Sequence, residues 1–223
     1  MLAQSYRDWE HIIVDGGSTD ATLDVLRKYP HLHWSSSPDK GQSDAMNKAF
    51  AQSTGDLIIY LNADDELKPD ALRLFADSFN SHPEADMVVA DLEINHSGTA
   101  NINVPSINLR QVLNYWPCIF PANPVSYAYK RKLQDNIGKF PVHNHYTMDY
   151  WFLLRAFLKG KVVKEGFVAG TFHFDGTNKS ADPANSQKWL KRVRDQFLSR
   201  YFYYPEVAKF WIRLKKGFMF RLK

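Results

Sequence analysis

A single cysteine, Cys118, occurs in the 223 residues. That excludes an intramolecular disulfide and a cysteine-based zinc cluster, and it fits a reducing compartment or indifference to redox. Long apolar runs are also missing. None approaches the roughly 20 residues that span a bilayer, and the best, residues 57–61, has strand length. The opening Met1-Leu2-Ala3-Gln4 has neither the basic nor the apolar region of a secretory leader. Acidic residues are scarce toward the end of the chain. Residues 184–223 hold 11 Lys and Arg against 2 Asp and Glu, leaving 17 against 22 for the remainder. The net charge of +4 is therefore a basic tail on a mildly acidic body. That pattern disfavours a nucleic-acid partner and suits an anionic surface reached by the tail.

What is present is enough for a core. Hydrophobic residues make up 44% and charged residues 23%, which argues against global disorder, and the length fits one α/β domain with a terminal extension. Residues 10–14 read as a buried strand. The turn residues Asp15 to Asp20 follow, with Ser18 or Asp20 placed to cap a helix running to about Tyr29. A short strand over 32–35, a helix from Ser43 to Ser53, a strand over 57–61 and a helix from about Pro69 to Ser81 come next. Residues 87–91 form another strand, and 96–105 a loop or small hairpin. Beyond them, helices are expected over 106–115 and 147–159, with a strand from Val125 to Tyr129 and one or two strands over 161–174. Residues 184–203 and 205–220 read as helices separated at Pro205. This alternation predicts an α/β fold: a mostly parallel sheet with helices on both faces.

In such sheets ligands bind beyond the carboxyl ends of the strands. Asp15 sits at one such end, and Asn62-Ala63-Asp64-Asp65 at another. Massed carboxylates are costly to bury, and a hard cation, Mn²⁺ or Mg²⁺, relieves that cost while bridging nucleotide phosphates. The alternative is that Asp64 and Asp65 only favour the N-terminus of the helix that follows.

Four blocks carry a family resemblance. Gln4 to Asp20 (QSYRDWEHIIVDGGSTD), Asp39 to Lys48 (DKGQSDAMNK), Leu61 to Asp65 (LNADD) and Thr147 to Arg155 (TMDYWFLLR) resemble, in order, the family 2 glycosyltransferases. The resemblance implies a GT-A fold, a nucleotide-diphosphate sugar donor (a UDP-sugar favoured), a glycan or lipid-linked acceptor, and inversion at the anomeric carbon. It places Asp15 against the donor base, Asn62 and Asp64 in the metal-binding acidic motif with Asp65 beside them, and Asp149 as the general base. Asp149 otherwise reads as a charge at a helix N-terminus. The chain departs from the pattern in three places. Asn62 opens the acidic motif where many relatives have aspartate, Gly16 replaces a common second aspartate, and Met46 stands where many carry arginine. Lys40 and Asp44 are the residues placed to compensate on the donor side, although Lys40 also reads as a solvated loop lysine. His173 and Asp175 both fall where relatives place a metal- or diphosphate-binding histidine, and His173 otherwise reads as a core residue. His143 and His145 read as loop residues within reach of the acceptor.

The resemblance also implies a strand and helix ahead of the Gln4 block, with Met1 inside the end of that helix. Residues 1–180 are thus expected to form an N-terminally incomplete domain, with a basic helical extension over 181–223. In the extension Val207, Phe210, Trp211, Leu214 and Phe218 share one helical face. In a cytoplasmic protein this face is expected to dock on the inner surface of the membrane, or to pack on the domain or a second subunit. Two further functions stay open: an inactive paralogue acting as a scaffold, and a phosphohydrolase with an aspartate nucleophile. The latter explains neither the Asp15 nor the Asp149 block.

Overall fold

The structure is a computed structural model that describes residues 1–114, 121, 123–176, 178, 183–206 and 208–209. Its chain order begins β1 (His11–Asp15), α1 (Thr22–Leu26), β2 (Leu32–Ser36), α2 (Gln42–Gln52), β3 (Leu57–Ile58), β4 (Glu66–Leu67) and α3 (Ala71–Ser81). It continues with β5 (Met87–His96), β6 (Thr99–Asn103), α4 (Leu109–Asn114), a 3₁₀ turn (Pro124–Ser126), β7 (Tyr127–Lys130) and α5 (Arg131–Ile137). The last elements are α6 (Met148–Lys159), β8 (Val162–Phe174) and α7 (Pro183–Tyr201).

The sheet is mixed, where a mostly parallel one was expected. Strand order is β3-β7-β5-β8-β4, with β6 added alongside β5. Only β5 with β8 runs parallel within this sheet. The reason lies in β7, which the sequence offers as one more short apolar run. It enters between β3 and β5 antiparallel to both. Helices do cover both faces. Val88 and Ala90 of β5 pack with Phe75 and Phe79 of α3, while Met87 and Val89 pack on the other side with Phe152 and Leu153 of α6. This is the two-residue alternation of a strand buried on both faces. Phe197 and Leu198 of α7 join the α6 side, with the Phe197 ring 6.2 Å from that of Trp151.

Several boundaries differ from the expectations. The helix after Asp15 is one short turn-and-a-half, with Asp20 accepting from the Thr22 amide at 3.0 Å. β3 stops at Ile58 instead of Leu61, because residues 59–65 leave the sheet to build the site described below. The segment 96–105 resolves as the β5–β6 hairpin, turning at Ser97 and Gly98 with φ of 49° and 100°. Residues 161–174 are one long strand. The helix expected over 205–220 lies mostly outside the described residues. Of its described residues, Ala208 packs on the core, and Lys209 pairs with Glu206 and with Asp195 of α7.

A second, two-stranded parallel sheet holds β1 and β2. Among the described residues β1 pairs only with β2, and β3 only with β7. Between β1 and β3 lies a groove of about 650 Å³, lined by Trp9, His11 and Ile12 on one side and Leu57, Ile59 and Leu61 on the other. Two side chains secure the two sheets to each other. Glu10 accepts from the Thr54 and Gly55 amides at 2.5 and 2.8 Å. Buried Gln4 donates to the Lys68 carbonyl at 2.7 Å and accepts from the Leu72 amide at 3.1 Å.

Candidate active site

A second cleft, of about 880 Å³, opens at the carboxyl ends of β1 and β3 and beside the start of α6. Val14, Asn62, Asp64, Asp65, Tyr146 and Asp149 all line it. The structure therefore brings the Asn62–Asp65 motif and Asp149 into one space.

The two aspartates of the motif have different surroundings. Asp65 is 7% exposed. One of its oxygens accepts from the amides of Asn62 and Asn123 at 2.8 and 2.7 Å, and the other from the backbone amide of His173 at 3.3 Å. Burial pushes its carboxyl above the usual range, opposed by the Asn123 and Asn62 donors. Asp65 thus bolts the loop to β8 and to the 3₁₀ turn. Asp64 points outward, is exposed, and takes one long bond, from Asn178 at 3.3 Å. It is the carboxylate of the pair that remains open to a ligand. Asn62 is oriented from both ends, since Gln42 at the first turn of α2 donates to its oxygen at 3.0 Å. Among the described residues no three His, Cys, Asp or Glu side chains converge on one point. Asp64, exposed and lightly bonded, nonetheless fits a hard divalent cation, because Mg²⁺ binds through one or two carboxylates, several waters and substrate phosphates.

Asp149 occupies the first turn of α6, one residue after the Thr147-Met148 entry. Its carboxylate accepts from the Tyr150 amide at 2.8 Å. Apolar surroundings, α6 being buried almost throughout, push its carboxyl up to about 6. A carboxylate with that value is a stronger proton acceptor than an ordinary surface aspartate. Asn144 holds the loop in front of it, accepting from the amides of Tyr146 and Thr147 at 3.2 and 2.9 Å.

Asp15 flanks the cleft instead of lining it. It ends β1 directly after Val14, and its carboxylate accepts from the Ser18 hydroxyl, from Ser36 at 2.6 Å, and from the Ser18 and Gly17 amides at 2.9 and 3.0 Å. The Ser18 and Ser36 donors hold its carboxyl down at about 2. Gly16 is explained by its neighbour: a Cβ there would stand 2.9 Å from a carboxylate oxygen of Asp39, and a second aspartate would meet that charge. Asp44 is engaged by the Lys40 amide at 3.1 Å and the Lys48 ammonium at 3.2 Å. Met46 is buried in the core below the cleft. His173 turns away from the cleft, since Phe172 lines it and successive β8 side chains alternate. The His173 ring lies 3.6 Å from Glu66. The same strand reaches the site through its backbone, at the Asp65 bond.

Gln42, Asn123 and Asn178 went unassigned in the sequence. Gln42 and Asn178 fall inside recognisable segments without a charge to mark them, and Asn123 lies in no motif at all. Gly41, with φ of 102°, lets the chain enter α2 against the ring of His145, where a Cβ would stand 3.0 Å from Nδ1.

Comparison with known proteins gives the same picture from outside. The profile described as Glycosyl transferase family 2 matches residues 1–159. An uncharacterized glycosyltransferase of Nostoc sp. is 28% identical over 214 residues, 86% of this chain and 64% of that protein. A PGL/p-HBAD biosynthesis glycosyltransferase of Mycobacterium tuberculosis is 30% identical over 170 residues, 72% of this chain and 62% of the relative. The chain thus spans less than two thirds of the length of either. Among solved structures, Staphylococcus aureus TarS 1–349 in complex with UDP-GlcNAc aligns with a TM-score of 0.71 at 18% identity, covering 88% of this chain and 60% of that one. A mannosyltransferase from Pyrobaculum calidifontis, in complex with GDP-Man and Mn²⁺, aligns at 0.62 and 20% identity over 89% and 57%. At these identities the likeness is one of fold.

Proposed function

The chain belongs to glycosyl transferase family 2 and has the GT-A fold, and from that premise we propose that it transfers a sugar, with inversion, from a nucleotide-diphosphate sugar to a hydroxyl of a glycan or lipid-linked acceptor. A UDP-sugar is the favoured donor, since TarS is seen with UDP and UDP-GlcNAc. The observation that carries the proposal is that Asp64 and Asp149, far apart in sequence, line one cleft.

The geometry supports the following roles. Asp149 accepts the acceptor hydroxyl's proton as that oxygen attacks the anomeric carbon. The bond from that carbon to the diphosphate oxygen breaks, and its electron pair leaves with the diphosphate. Asp64 is the residue that would hold Mn²⁺ or Mg²⁺, and such a cation supplies charge neutralisation for the departing group. Asp65 anchors the loop from behind, a role its three donors support better than direct ligation. Asn62 and Gln42 orient the motif. Asp15, at the exit of β1, presents its loop to the donor base. Lys40 and Asp44 frame the same side at the start of α2. His173 contributes through its amide.

Residues 1–180 are assigned to the transferase domain and 181–223 to a basic helical extension. Among the described residues no helix is long and apolar enough to cross a membrane. We place the protein in the cytoplasm, peripheral at the inner face of the membrane through residues 205–223. Flotation with anionic liposomes, lost on removal of those residues, supports that placement, and undiminished flotation overturns it.

The central test is Mn²⁺-dependent release of UDP from UDP-sugars. Asp149→Asn and Asp64→Ala should each lower turnover by about 10²–10⁴-fold. Unchanged turnover in Asp149→Asn removes the base assignment, and a product that retains the donor's anomeric configuration removes inversion. The open groove between β1 and β3 favours a second reading, a non-catalytic interaction protein. Calorimetric titration with UDP and Mn²⁺ separates the two, because a scaffold shows no metal-dependent binding.

A further inference from the structure

Beside Asp149 the cleft carries an aromatic feature that neither the core nor the proposed chemistry uses. Tyr146, three residues ahead of Asp149, lines the cleft yet is 38% exposed. Its ring lies nearly parallel to that of Trp189 on α7, at 23° with centroids 6.4 Å apart. The guanidinium of Arg192 sits 4.9 Å from the centre of the Trp189 ring. Neither ring belongs to the buried clusters of the core. Both are nevertheless held firmly. Asn144 fixes the backbone amide of Tyr146. One turn beyond Trp189, Val193 is 3% exposed and anchors α7 to the core.

We propose that Tyr146 and Trp189 form the platform for the acceptor, and that the acceptor end bound there is a saccharide. This rests on the transferase reading given above. A pyranose has one face of C–H bonds and a rim of hydroxyls. Tyr146, exposed in the cleft and backed by the half-buried ring of Trp189, takes the apolar face at little cost in side-chain entropy. The polar groups around it, Asp149 and His145, take the rim. Tyr146 and Asp149 line the same cleft, so a sugar laid on Tyr146 shares that space with the carboxylate that must meet the nucleophile. An acyl chain would leave those polar groups unpaired, so the platform discriminates against a purely lipid acceptor.

The test measures ligand binding and does not require turnover. Saturation-transfer NMR is recorded on the full chain with methyl glycosides of glucose, galactose, mannose, rhamnose and N-acetylglucosamine, and with their disaccharides. Calorimetry with UDP and Mn²⁺ runs in parallel to report the donor side. The expected result is contact to ring C–H protons, reduced at least tenfold in affinity in Tyr146→Ala and Trp189→Ala, and restored in Trp189→Phe. UDP binding should be unchanged in all three variants. Saccharide binding that is indifferent to both alanine variants overturns the platform. So does UDP binding with no saccharide contact anywhere in the panel, and that outcome leaves the transferase reading intact. Saccharide binding that depends on the pair in a chain that does not bind UDP keeps the pair as a saccharide site but removes the transferase reading, and with it the acceptor role. A merely structural role for the pair predicts equal losses of thermal stability and of UDP binding in Trp189→Ala, with no selective loss of saccharide.

Discussion

In its proposed role as base, Asp149 sets function against stability at one position. Its carboxyl is raised from 3.8 to about 6 by burial, so the fold favours the protonated form. The folded chain then binds more protons than the unfolded chain between those values. Stability is fully present below the unfolded value and falls as pH rises through about 6, by at most roughly 3 kcal/mol for such a shift. Asp149→Asn is therefore expected to raise Tm at pH 8 and leave it unchanged at pH 4, in parallel thermal melts. The activity has the opposite sign, since kcat/KM of the wild type should climb as pH passes through about 6. Asp15 behaves conversely. Held down at about 2 by its serine donors, it contributes stability above its ordinary value that is lost as pH falls toward 2. Asp65 and Asp64 separate in the same way. Asn123→Ala leaves a buried carboxylate short of a donor and should cost about 1–3 kcal/mol in denaturant unfolding. Asp64→Ala, exposed, should leave the unfolding midpoint within error while abolishing the response to Mn²⁺. The sequence distinguished the charged members of this site because acid at a strand end is conspicuous. It was silent on Asn123, whose neutral amide acquires meaning only from the carboxylate that folding brings to it.

At the scale of elements, the strands were legible where β-branched residues cluster, and their partners were not. β1 and β3 are both apolar runs. Nothing local states that they face each other across a groove instead of pairing, or that β7 enters antiparallel between β3 and β5. The free edge of β1 has a measurable consequence. In native-state hydrogen exchange its amides directed toward β2 should be protected, and those directed to the groove should exchange faster by several orders of magnitude, as unpaired edge groups do. Uniform protection along β1 would mean that the groove is closed in solution. α5 escaped notice because its seven residues, Arg131 to Ile137, are mostly polar and too few for a periodic pattern. It matters to the site all the same. The guanidinium of Arg155 on α6 donates to the carbonyl of Ile137, the last residue of α5, and to that of Lys139 just beyond it, and stacks on Trp151 at 5.2 Å. The helix that carries Asp149 is thereby tied to its neighbour.

On the scale of the whole molecule, α7 closes the α6 face of the core and brings Trp189 against Tyr146. Phe197 is fully buried between Trp151 and Tyr201. Phe197→Ala should cost about 3–5 kcal/mol, whereas Tyr203→Ala, at a residue 96% exposed, should fall within about 0.5 kcal/mol; chemical denaturation of the two variants checks the contrast. By itself the sequence determined the α/β class and the two-faced helix covering, which rest on local periodicity, and the family, which rests on four motif blocks; those blocks also singled out Asp64 and Asp149 as candidates. Only the tertiary structure decided the mixed strand order, the different surroundings of Asp64 and Asp65, the withdrawal of Asp15 into its own loop, and the meeting of Tyr146 with Trp189. Each of these depends on contacts between segments distant in the chain, and burial, the force that arranges such contacts, has no address in any single stretch of sequence.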